Sequence, residues 1–245
     1  MQRKDMLNMP LRFLGRGAAF NTKEGSNAAF LLSGKSLFLI DCGESVFAKL
    51  QALHLLDGLE SIHIAVTHLH TDHVGSLSSL MHYCRYILHI RPQLIVPEHT
   101  EYAGQLDMLL TVTGCDRAFY DVVTDTDYLG GAAVHSVRYV RTEHSPNMIS
   151  FSLVLESDEG SIFYSGDTCT AAPAKAFICG HPDFAAVYMD ATELDYPGNV
   201  HLSLTKLAEA FPEALRARVH LMHFNADSCI EKGRALGFGI VETEN

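Results

Sequence analysis

The 245-residue chain has no uninterrupted apolar run near the roughly 20 residues that a membrane helix needs, so a bilayer-spanning role is not expected. It also lacks a secretory pattern. The charged opening Met1-Gln2-Arg3-Lys4-Asp5-Met6 leads into no apolar stretch, and the predicted address is the cytoplasm. No low-complexity tract, internal repeat or linker-like stretch divides the chain, which predicts one domain over residues 1–245. The six cysteines (Cys42, Cys84, Cys115, Cys169, Cys179 and Cys229) contain no C-x-x-C pair. In a cytosolic chain such spacing predicts free, partly buried thiols rather than a disulfide framework. Basic runs are absent too. With 29 acidic against 18 basic residues the net charge is −11, which disfavours an extended nucleic-acid surface. Small anionic substrates stay open, because bound cations would dominate the local field.

What is present alternates between strands and helices. Apolar or alternating runs at Leu11–Leu14, Ala28–Leu32, Ser36–Asp41, Ile62–Thr67 and Leu94–Val96 read as strands. Further strands are predicted at 118–123, 133–141, 150–156, 161–165, 185–189 and 219–222, with 150–156 and 161–165 forming a hairpin. Helical spacing covers 44–56, 74–88, 101–111 and 203–211. The order predicts an α/β fold. Two mixed sheets with helices outside fit it, as does an open three-layer sheet.

His68, His70, Asp72 and His73 fall within six residues, directly after the β-branched run 62–67. Imidazoles suit zinc and other first-row metals, and a carboxylate adds an oxygen ligand. In an extended segment His68 and His70 point to one side. A turn near Thr71 would swing Asp72 and His73 to a second position, so one loop would serve two adjacent ions.

The cluster His68-Leu69-His70-Thr71-Asp72-His73, followed by Gly75, resembles the H-x-H-x-D-H signature of the metallo-β-lactamase superfamily. Its downstream companions are matched by His144, by Asp167 in Tyr164-Ser165-Gly166-Asp167-Thr168, and by His223 in Leu221-Met222-His223-Phe224. Phe13-Leu14-Gly15-Arg16-Gly17, Asp41-Cys42-Gly43-Glu44, Asp190-Ala191-Thr192 and His201-Leu202-Ser203 are similar to motifs of the ribonuclease Z branch, with Leu202 where that branch usually has Ser. The resemblance implies an αββα sandwich, a metal-dependent hydrolase and two divalent ions, zinc foremost, with manganese or iron as alternatives. It implies that His68, His70 and His144 hold one ion, that Asp72, His73 and His223 hold the other, and that Asp167 bridges. It makes a homodimer plausible.

The tRNA-processing members carry a long arm between the third-motif histidine and the bridging aspartate. Only 22 residues separate His144 from Asp167, too few for it. Together with the acidic charge, this favours a small phosphodiester or short oligonucleotide as substrate. Two adjacent metals would acidify a shared water for in-line attack. Asp72 would orient it, and His201 would protonate the leaving oxygen or stabilise the pentacoordinate state. The competing reading of His201 is a residue preceding the helix at Ser203. Asp190 and Asp41 read either as acceptors that orient ligand histidines or as strand-end caps. Cys169 reads as a small buried filler, and Ser145 and Asn147 as candidates for the substrate mouth. His54, His63, His82, His89, His99, His135, His181 and His220 read as structural or surface residues. A hydrolase of lactones, thioesters or lactams would use the same centre, and a metal-binding module without catalysis is the alternative outside enzymes.

Overall fold

β-Branched and aromatic runs become strands that pair into two sheets. The computed structural model describes residues 9–244; the charged opening Met1–Met6 lies outside them. In the first half β1 (Arg12–Gly15), β2 (Ala28–Ser33) and β3 (Ser36–Ile40) form an antiparallel meander. After α1 (Val46–Ala52), β4 (Ser61–Ala65) adds in parallel. Then come α2 (Thr71–Val74), α3 (Leu77–Tyr83), β5 (Gln93–Val96), α4 (Thr100–Val112) and β6 (Asp121–Thr124), the last two strands also parallel.

The second half repeats that plan. β7 (Val134–Arg141), β8 (Phe151–Ser157) and β9 (Gly160–Tyr164) form the meander. α5 (Ala172–Gly180), β10 (Ala186–Asp190), α6 (Leu204–Ala210), α7 (Glu213–Arg216), β11 (Val219–Met222), α8 (Asp227–Ala235) and β12 (Gly239–Ile240) follow, with β9 to β12 parallel. Each sheet has six strands in sequential order, and helices flank the pair. This is the αββα sandwich. The duplication is one of topology and not of sequence.

The sheets pack through aromatic side chains whose polar ends are satisfied across the interface. Phe13 of β1 meets Tyr188 of β10 at 5.3 Å between ring centroids. The Tyr139 hydroxyl of β7 donates to Ile95 O of β5 at 2.8 Å and accepts from Val66 N at 3.2 Å. Asn27 Nδ2 donates to the Tyr164 hydroxyl at 2.8 Å. Each such ring contributes about 1.5–3 kcal/mol of apolar burial while its hydroxyl avoids an unpaired state.

Two sequence expectations differ. The single helix over 74–88 is instead α2, α3 and a π-turn at Cys84–Leu88. The chain breaks at Gly75-Ser76 and leaves the π-turn through His89, which is left-handed at φ 57. α5 and α8 were not foreseen: α5 has Pro173 in its first turn and apolar residues on every side, and α8 buries only Cys229, Ile230 and Gly233. No helix among the described residues is long and apolar enough to cross a membrane.

All six cysteines are unpaired, four of them buried. Burial pushes the Cys42, Cys84 and Cys229 thiols up to about 12. A thiol reagent at pH 8 should therefore modify exposed Cys179 first and half-buried Cys169 more slowly, with the rest reacting only in denaturant. Rapid modification of all six in buffer would contradict this packing.

Candidate metal centre

The segment after β4 is fixed before its histidines appear. Thr67 donates to Asp41 from its backbone N at 2.7 Å and from its hydroxyl at 2.9 Å to Oδ2. Thr67 O accepts from Phe151 N of the opposite sheet at 3.0 Å. This clamp holds the loop at the sandwich edge. His68 and His70 then face one point, with His68 Nε2 3.0 Å from His70 Nδ1. His70 stands at the N-terminus of α2, whose first turn carries Asp72 and His73 inward, both buried. α2 itself is seated on Gly43, where a Cβ would lie 1.8 Å from the Asp72 carbonyl oxygen. Cys42 N donates to His73 O at 2.7 Å beside it.

The second sheet delivers the remaining groups from its strand ends. After β9 the chain turns at Gly166 (φ 57), where a Cβ would meet Phe151 O at 2.6 Å, and Asp167 follows. Asp190 ends β10. His223 follows β11 in a left-handed conformation (φ 59), an uncommon backbone for a buried non-glycine residue. His144 lies beyond β7, its Nδ1 bonded to Val200 O at 2.9 Å, which leaves Nε2 for the site.

These side chains converge on Asp167. Its Oδ2 lies 3.7 Å from His68 Nε2, 3.7 Å from His144 Nε2 and 3.4 Å from His223 Nε2, and its Oδ1 lies 3.2 Å from His73 Nε2. His144 Nε2 is 3.2 Å from His70 Nδ1, and Asp72 Oδ2 is 3.2 Å from His223 Nε2. Ligand-capable atoms therefore gather in two adjoining groups, His68/His70/His144/Asp167 and Asp72/His73/Asp167/His223, each within 4.8 Å. A third group, Asp167/Asp190/His201/His223, overlaps them. The structure thus brings together all seven residues of the sequence-derived metal set, and places His201 at their edge.

The donor chemistry fits a cation. His73 donates from Nδ1 to Asp41 Oδ2 at 2.8 Å, so a neutral ring presents a bare Nε2 to Asp167 Oδ1. Both facing atoms are buried without a hydrogen-bond partner. Two buried acceptors turned toward each other are costly unless a proton or a metal stands between them. Burial opposes a charge on His73, but Asp167 and Asp41 outweigh it and hold its imidazole well above the usual range. Burial likewise opposes ionisation of Asp167, yet His223, His73 and His68 keep its carboxyl well below the usual carboxylate range. His68, deepest and beside His73, is held well below the usual imidazole range by burial first. Cation binding at these groups would require unprotonated imidazoles, so it would depend on pH.

The anti-Pycsar protein Apyc1 family matches residues 9–244. The chain belongs to this family. It is 31% identical over 234 residues to the anti-Pycsar protein Apyc1 of Bacillus phage BSP38, covering 87% of this chain and 88% of that protein. Among solved structures it is similar to YhfI of Bacillus subtilis, a metallo-β-lactamase fold protein, with TM-score 0.72 at 15% identity over 96% and 95% of the two chains. It is also similar to the short form of human tRNase Z, with TM-score 0.63 at 19% identity over 95% and 96%. The metallo-β-lactamase fold read from the H-x-H-x-D-H cluster is the fold of this Apyc1 family member.

Asp41 and Asp190 resolve as orienting acceptors. Asp190 accepts from Thr168 N at 3.0 Å, His201 Nδ1 at 2.8 Å and His223 Nδ1 at 3.2 Å. Burial opposes a charge on His201, but Asp190 raises its imidazole above the usual range. Cys169 belongs to none of the ligand groups and is half-buried rather than buried. Ser145 and Asn147 sit in the turn beyond His144, half-buried and exposed. The eight remaining histidines lie outside all three groups. His63 and His220, for example, are packed against Gly131 and Gly239.

Gly43→Ala should push the Asp72 carbonyl and shift α2. An overpacking cost of about 1–3 kcal/mol implies a Tm lower by at least about 3 °C, measured by calorimetry. An unchanged Tm would show that α2 does not need this contact.

Proposed function

We propose that the chain is a dinuclear metal-dependent phosphodiesterase for small phosphodiesters, with cyclic nucleotides as its substrate class. The observation that carries this reading is Asp167, buried where the two ligand-capable groups adjoin and facing the unpartnered Nε2 of His73. His68, His70 and His144 would hold one ion, Asp72, His73 and His223 the other, and Asp167 both. Imidazole with carboxylate favours zinc, with manganese and iron as the alternatives. Bound ions supply Lewis acidity, which acidifies water and draws charge from a phosphoryl oxygen. The relatives' name, anti-Pycsar protein, suits action on cyclic nucleotides. The acidic chain also suits a small substrate better than a long nucleic acid.

In the reaction, water adds to phosphorus as one P–O ester bond breaks. A phosphomonoester and a free hydroxyl result. Asp72 orients the water and takes its proton. His201 gives a proton to the departing oxygen. Its Nδ1 is held by Asp190, which fixes the tautomer and leaves Nε2 for substrate, and its side chain is 26% exposed, so solvent and substrate reach it.

The test uses metal-loaded protein with 3′,5′-cyclic AMP, 3′,5′-cyclic UMP and a simple lactone, following nucleoside monophosphate or acid. Cyclic nucleotide turnover should vanish in His68→Ala. In His201→Ala, kcat should fall about 10²-fold or more with bound metal retained. Lactone hydrolysis without cyclic nucleotide turnover would move the assignment to carbonyl chemistry. Undiminished turnover in His68→Ala would place the chemistry elsewhere.

A further inference from the structure

The left-handed backbone of His223 persists only where its surroundings enforce it. On one side Met222 is paired with Asp190 in the sheet. On the other side Phe224 is gripped by the loop between β1 and β2. Phe224 N donates to Arg16 O at 2.8 Å, and Phe224 O accepts from Ala18 N at 3.0 Å and from Asn21 Nδ2 at 2.9 Å. The side chain of Arg16 in turn ties that loop down. Its Nε donates to Glu24 Oε2 at 2.6 Å across the loop. Its Nη1 donates to Val241 O at 2.6 Å and to Glu242 Oε2 at 2.9 Å, in the segment after β12. That segment is itself pinned to β11, since Val241 N donates to Leu221 O at 3.1 Å. The Arg16 and Glu24 side chains are each only 14% exposed. One guanidinium thus joins the loop, its return arm and the C-terminal segment around the residue that follows His223.

We propose that Arg16 is a positioning residue for the ion that Asp72, His73 and His223 would hold. The assignment rests on the dinuclear reading of the site. The Arg16 side chain bonds no member of the ligand groups, so its effect passes through the loop to Phe224 and from there to His223. Asp190 and Asp72 set the direction of the His223 ring, whereas the anchored Phe224 sets where its backbone stands. Removing the guanidinium leaves two carboxylates, Glu24 and Glu242, without the cation they share, which loosens the loop. Lysine keeps the charge but lacks the planar fork that serves several acceptors at once. The other ligand group does not depend on this loop, because Asp41 and Thr67 hold its histidine segment. The consequence is selective: one ion should feel Arg16 and the other should not.

The experiment titrates zinc in competition with a chromophoric chelator, using wild type, Arg16→Ala, Arg16→Lys, His223→Ala and the double variant Arg16→Ala/His223→Ala. Circular dichroism and Tm report folding. Arg16→Ala should weaken one of two zinc equivalents by about 10- to 100-fold and leave the other within about twofold. Arg16→Lys should fall between Arg16→Ala and wild type. In the His223→Ala background the ion that Arg16 serves is already compromised, so adding Arg16→Ala should leave the remaining zinc affinity within about twofold. A lower Tm with both zinc affinities unchanged would make Arg16 a purely structural residue and overturn the assignment. Equal weakening of both equivalents, or a further loss in the double variant, overturns it too. Should Arg16→Ala not fold, Arg16→Lys decides: selective weakening of one equivalent supports the assignment, and two unchanged affinities overturn it. If wild type takes up no zinc, the dinuclear reading fails first, whereas two wild-type equivalents retained in folded Arg16→Ala sink only the role of Arg16.

Discussion

A carboxylate buried among imidazoles sets the terms for the rest of this molecule. Asp167 lies within 4 Å of His68, His73, His144, His201 and His223, yet is only 2% exposed. Such a cluster is unfavourable unless charge and lone pairs are balanced, because burial removes the water that would otherwise do so. Every feature around it holds that balance in place. Gly166 turns the chain so that Asp167 enters the space, and Thr67 ties the histidine loop to the opposite sheet.

Two further aspartates hold the ring orientations. Asp41 ends the stretch after β3 and fixes His73. Asp190 ends β10 and fixes His223 and His201. Both stand at the C-terminal ends of strands that pair in parallel with a neighbour. A histidine whose far nitrogen is already bonded would turn a single, oriented lone pair to a metal. His144, bonded to Val200 O, follows the same rule through a backbone carbonyl.

The sequence made the strands legible because β-branched runs such as Ile62–Thr67 admit few other readings, and it made the first ligand cluster legible because four donors crowd into six positions. His144, Asp167 and His223 were reachable only by resemblance. They lie 74 to 151 residues from their partners, and no local pattern reports such contacts. The roles of Asp41 and Asp190 stayed divided between acceptor and cap for the same reason: a strand-end aspartate looks alike in both cases until the histidine facing it is known. α5 and α8 escaped because their burial is set by the sheet they pack on, not by an apolar stripe of their own.

The most direct measurement is the metal content of the purified protein and of Asp167→Ala by elemental analysis, with circular dichroism to confirm that the variant is folded. Two adjoining ligand groups that share Asp167 predict about two divalent equivalents in the wild type and a clear loss in the folded variant. A wild-type protein that neither carries metal nor takes it up on reconstitution would contradict the account, as would a variant that keeps both equivalents.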